Sequence, residues 1–115
     1  MATKGIDAEE VTRIKLARTV VVRRERMGVS QRELAVLCGI DRSFLNGVER
    51  GHRSPTLQAL VKIADGLGTT VSMLTKGILK PEAGEVWDQD EWDRTVLDEA
   101  EREESEMGGT EEVEA

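Results

Sequence analysis

Arg42, Ser43, Asn46, Gly47 and Arg50 stand at i, i+1, i+4, i+5 and i+8, so on a helix they share one side of the cylinder. That side is polar and basic, and it is free to face a ligand. Its chemistry is recognition rather than bond breaking. The chain holds one His and one Cys, too few for a metal cluster, and no nucleophile has a base at recognisable spacing. No catalytic residue, metal ligand or cofactor is therefore expected, and the chain does not read as an enzyme. His52 reads as a solvated loop residue. Cys38, beside Leu37 on the inner part of a helix, reads as a small buried hydrophobe.

The elements around that face are announced by caps and stops. Asp7 with Glu10 is an Asp-based relative of the capping box, and Val11, Ile14, Ala17 and Val21 recur at helical spacing, which predicts a first helix from Ala8 to Met27. Gly28 stops it. Ser30 and Glu33 form a standard capping box before Leu34, Ala35 and Leu37, so a short second helix ends at Cys38. Gly39 supplies a sharp bend and Asp41 caps a third helix from Arg42 to Arg50, whose apolar side is Phe44, Leu45 and Val48. Gly51 ends it. A loop to Pro55 precedes a fourth helix from Thr56 to Leu67, Gly68 breaks that, and Val71 to Leu74 makes a fifth. The punctuation of Gly77, Pro81 and Gly84 closes the domain, which is assigned to residues 8–79.

The composition agrees with a small helical domain. There are 115 residues, 38% hydrophobic and only 3% aromatic with no tyrosine, so the core must come from Leu, Val, Ile, Ala and Met. No apolar run is long enough to span a membrane, and no secretory signal pattern opens the chain, so a cytoplasmic location is expected. The net charge of −7 hides a division. Residues 1–81 carry 14 Lys and Arg against 8 Asp and Glu, whereas residues 82–115 carry 2 Arg against 15 Asp and Glu. A basic domain thus precedes an acidic tail, and the average of the two says nothing about whether the domain meets a polyanion.

Two short helices joined by a Gly-containing turn, the second with a polar outer face, form the physical pattern of a helix-turn-helix. Here Gln31, Ala35, Gly39, Leu45, Val48, Glu49, Gly51, Pro55, Leu57, Ala64 and Leu67 carry a specific resemblance. The segment SQRELAVLCGIDRSFLNGVERGHRSPTLQALVKIADGLGTTVSMLT is similar to the lambda-repressor-like, Cro/Xre-type helix-turn-helix family. The resemblance implies an all-α, five-helix DNA-binding domain that places its third helix in the major groove, with Gln31 clamping a phosphate at the start of the second. Arg32, Arg50 and Arg53 are the further phosphate candidates, and His52 is a weak one. For base reading, Arg42 suits guanine, Asn46 suits adenine and Ser43 suits either. Gly47 lacks the longer polar side chain the family usually carries there. It either lets the helix backbone approach DNA closely or marks a position that makes no contact. Arg24 and Glu49 match a family ion pair that ties the first helix to the third.

The resemblance also implies a sequence-specific transcriptional regulator, of the repressor type, acting as a homodimer on double-stranded DNA. The acidic tail, residues 80–115, leaves three readings open. The first is an ordered helix over residues 88–107, with Asp88 and Glu91 as a capping pair, Trp92, Val96 and Ala100 on one face, and Gly108-Gly109 as its stop. The second is a disordered solubilising tail, and the third is a segment that competes with DNA for the basic face. The alternative function is an antitoxin-type protein that binds operator DNA and uses the tail for a protein partner.

Overall fold

In the computed structural model, which describes residues 8–78 and 87–114, the helical spacing becomes six α-helices and, among the described residues, no strand. They are α1 (Ala8–Met27), α2 (Gln31–Cys38), α3 (Arg42–Glu49), α4 (Leu57–Leu67), α5 (Val71–Leu74) and α6 (Gln89–Glu114). The Asp7 cap and the punctuation at residues 79–84 lie outside the described residues. Two bounds differ from the sequence pattern by one residue. Arg50 is not the last residue of α3 but its C-cap, and Thr56 is the N-cap of α4, its side chain accepting from the Ala59 amide at 3.1 Å. A residue whose side chain satisfies the first free amides does so from a non-helical conformation, which removes it from the helix proper.

The turn between α2 and α3 is built from local chemistry. Ser30 Oγ accepts from the Glu33 amide at 3.0 Å while Glu33 Oε1 accepts from the Ser30 amide at 2.7 Å, which fixes the start of α2. At its end Gly39 adopts φ 70°, ψ 35°, and Ile40 N–H reaches back to the Ala35 carbonyl at 3.1 Å. This left-handed stop is open to glycine at little cost. Two residues later Asp41 accepts from the Ser43 amide at 3.1 Å and starts α3.

Val20, Leu34, Leu45, Val48, Ile63 and Leu74 are fully buried and draw α1 to α5 around one core. Each contributes roughly 1.5–3 kcal/mol through removal of apolar surface from water. Helix α1 is covered on two sides, by α3 and by α6. Its burial is accordingly wider than the stripe read from the sequence: Leu16, Ala17, Val20 and Val22 are buried together with Lys15, Thr19 and Arg23, whereas Val11, Ile14 and Val21 are only half-buried.

The acidic tail is therefore a sixth helix packed on the five-helix domain. Asp88 accepts from the amides of Asp90 (2.9 Å) and Glu91 (3.2 Å). Val96 is buried, with Trp92 and Ala100 half-buried. The helix runs through Gly108 and Gly109 to Glu114. Glycine inside a helix costs about 1 kcal/mol relative to alanine and weakens it without forbidding it, so the expected stop at that pair is absent.

Candidate nucleic-acid interface

Helix α3 stands with Leu45 and Val48 in the core and Arg42, Ser43 and Arg50 exposed; Asn46 and Gly47 are half-exposed. Its orientation is set from α1. Arg24 Nε donates to Glu49 Oε2 at 2.8 Å and its Nη2 to Glu49 Oε1 at 3.1 Å, and its Nη1 donates to the Val29 carbonyl at 3.1 Å. Gln31 Nε2 also donates to Glu49 Oε1, at 2.9 Å. Gln31 thus spends one of its two amide N–H donors on the carboxylate that holds α3. Its second N–H and the start of α2 remain for a phosphate contact.

Arg53 and Gly47 make an arrangement that the sequence did not announce. The amides of His52 (2.9 Å) and Arg53 (3.2 Å) both donate to the Gly47 carbonyl, which pins the loop after α3 to the helix. The Arg53 side chain then lies along α3: a Cβ added to Gly47 would stand 2.7 Å from Arg53 Cγ, and the guanidinium carbon is 5.7 Å from the Phe44 ring centroid. Space vacated by the missing side chain at residue 47 is filled by that of residue 53. A glycine six residues from an arginine has no periodic signature, so spacing could not have revealed it.

The electrostatics are two-sided. Arg32, Arg42, Arg50 and Arg53, on α2, α3 and the following loop, are exposed and make no ion pair among the described residues. On the far side of α1 the cations are matched. Arg18 pairs with Asp93 at 2.8 Å, Arg23 with Glu103 at 2.7 Å and Arg26 with Glu104 at 2.5 Å. Beyond α5, Lys76 pairs with Glu99 at 2.8 Å. Four of the tail's carboxylates, Asp93, Glu99, Glu103 and Glu104, thus neutralise cations of α1 and Lys76, and none reaches the arginines of the α2–α3 side, which stays a region of unpaired positive charge.

Asp41, at the head of α3, has its carboxyl held below the usual range by the hydrogen bonds from the Ser43 hydroxyl and amide. His52 is an exposed loop residue. Cys38 is buried, its thiol donating to the Ile63 carbonyl at 3.8 Å, and burial pushes its pKa up to about 11. Among the described residues no group of three or more His, Cys, Asp or Glu is placed to hold a metal ion, and no helix is long and apolar enough to cross a membrane.

Comparison with known proteins finds helix-turn-helix proteins. A helix-turn-helix family model matches residues 22–74, from α1 to the end of α5. The chain is 39% identical over 70 residues to control protein C.SmaI of Serratia marcescens, covering 60% of this chain and 83% of that one. It is 30% identical over 66 residues to an HTH-type transcriptional regulator of Haemophilus influenzae, covering 57% and 67%. Among solved structures, the restriction-modification controller protein C.AhdI from Aeromonas hydrophila superposes with a TM-score of 0.53 at 37% identity, over 54% of this chain and 94% of that one. A hypothetical transcription factor from Neisseria gives 0.55 at 32% identity, over 65% and 86%.

Proposed function

The chain belongs to the Cro/Xre-type helix-turn-helix family and is a DNA-binding transcriptional regulator; from that premise we propose that it reads an operator as a homodimer, with α3 in the major groove. The observation that carries the proposal is the charge asymmetry of the folded chain. Four exposed arginines without carboxylate partners among the described residues, Arg32, Arg42, Arg50 and Arg53, lie on α2, α3 and the loop that follows, while Arg18, Arg23 and Arg26 of α1 are paired internally.

In this reading Arg42 donates two hydrogen bonds to a guanine, Asn46 pairs with an adenine and Ser43 serves either base. Gly47 admits the Arg53 side chain to the same helix face. Arg32, Arg50 and Arg53, with the start of α2 at Gln31, hold phosphates and set the register of α3 in the groove. Arg24 and Glu49 touch no DNA; they hold α3 at its angle. Residues 8–79 act as the DNA-binding unit, in the cytoplasm and without catalysis.

A two-fold dimer places the two α3 helices about 34 Å apart, so half-sites are centred about 10 base pairs from one another. Leu57 and Val61, one turn apart on α4 and 70% and 52% exposed, are an apolar pair that a subunit contact would cover. The antitoxin alternative gains nothing from the tail, because the apolar face of α6 that a partner would need is already spent on α1.

Selection from a randomised duplex pool tests the proposal. Enrichment of an inverted repeat with that spacing supports it, and recovery of no shared sequence overturns it.

A further inference from the structure

Arg18, Arg23 and Arg26 of α1 are each answered by a carboxylate of α6. We infer that this side of α1 is a second polyanion-binding face, masked in cis by α6, which occupies it as an internal substitute for a phosphate backbone. The inference rests on the DNA-binding reading only for the identity of the polyanion.

Geometry identifies the face. Arg18 meets Asp93 through two bonds, Nε to Oδ1 at 3.3 Å and Nη2 to Oδ2 at 2.8 Å. Arg23 meets Glu103 through Nη1 at 3.3 Å and Nη2 at 2.7 Å. Such a two-point fork suits carboxylate and phosphate equally. At a rise of about 1.5 Å per residue, the three arginines lie within roughly 12 Å along α1. The pairings advance in the same sense on both helices, from Lys15 against Trp92 to Arg26 against Glu104, so α6 runs parallel to α1 and tracks the whole cationic row.

The seam is also unusually polar for a helix whose task is only to be held in place. From α6 its apolar content is Trp92, Val96 and Ala100, and Trp92, packed against the core, is also held by polar contacts, its indole N–H donating to Thr19 Oγ1 (3.0 Å) and the Lys15 carbonyl (3.1 Å) with Lys15 Nζ 5.0 Å from its ring centroid. Arg23 is 6% exposed and its Nε has no partner. Well-packed apolar residues hold two helices together at least as well as buried ion pairs do. A row of arginines with one unmet donor is the composition of a charged face that is covered. Covering it removes three arginines from competition with Arg32, Arg42, Arg50 and Arg53, and so weights attraction toward the side that reads sequence.

The test compares three full-length chains on a duplex lacking the operator, over a salt series. One is wild type. The second carries Asp93→Asn, Glu103→Gln and Glu104→Gln. The third carries Glu91→Gln, Asp98→Asn and Glu101→Gln, a control with the same net charge whose three residues are exposed and make no ion pair among the described residues. Each arginine released to a phosphate steepens the dependence of log affinity on log salt by about 0.9. The second chain should therefore show a slope steeper by roughly 2 to 3, with tighter non-specific binding, and the control should keep the wild-type slope. Equal slopes for the two triple variants overturn the inference. If the triple variant is not recovered folded, Asp93→Asn alone must steepen the slope by about one, and an unchanged slope overturns the inference. A wild type that binds no DNA at any salt overturns the functional reading instead, and with it the identity of the polyanion.

Discussion

Arg24 of α1 and Glu49 of α3 are joined by two hydrogen bonds of 2.8 and 3.1 Å, and the Glu49 side chain, 4% exposed, also accepts from Gln31 of α2. One carboxylate thus ties together the three helices that define the angle of α3. Because it is buried, its removal leaves Arg24 uncompensated.

Glu49→Ala should therefore destabilise the fold by about 3 kcal/mol, the lower end of what breaking a buried pair costs, since Arg24 keeps some contact with water. Urea denaturation measures this. DNA affinity should fall only in step with the folded fraction. Normal stability with lost binding would instead make Glu49 a contact residue.

Gly66→Ala tests how closely α2 and α4 approach. A Cβ there would meet the Cys38 thiol and stand 3.1 Å from the Cys38 amide nitrogen, which is backbone and cannot swing aside. Alanine gains about 1 kcal/mol of helix propensity at such a site. Overpacking costs about 1–3 kcal/mol and is expected to win, lowering the melting temperature. A variant more stable than wild type would show that the two helices separate easily.

Cys38 predicts a pH dependence. Burial raises its folded-state pKa to about 11, so the folded chain keeps a neutral thiol where an unfolded one, near 9.0, has begun to ionise. The sign follows from linkage: this stabilisation is complete below pH 9.0 and is lost as pH rises through about 11. Stability measured across that window should fall more steeply for wild type than for Cys38→Ala. Parallel curves would mean that the thiol titrates alike folded and unfolded.

The helix framework was legible because its signals are local. Ser30 with Glu33, Gly39 and Asp41 each act within a few residues of themselves, and they set the bounds of α2 and the start of α3. Trp92, Val96 and Ala100 likewise marked the inner face of α6. What spacing could not convey was where that face would dock. The matches of Arg18 to Asp93 and Arg23 to Glu103 join residues 75 and 80 positions apart, and charge counting alone does not separate helix, disorder and competition for DNA; the two tryptophans are what favour the helix. The placement of Arg53 over Gly47 was hidden for a related reason, since it depends on how a loop folds back onto a helix.

Base reading by α3 is decided by the affinity of wild type, Arg42→Ala and Asn46→Ala for the DNA upstream of the chain's own gene, against random duplex at matched salt. Both side chains lie outside the core, so both variants should fold normally. Wild type should prefer its own fragment, and each substitution should cost roughly 1–3 kcal/mol there while leaving random-DNA binding much less affected. Equal binding of wild type to both duplexes, or folded variants that discriminate as wild type does, would mean that α3 does not read bases.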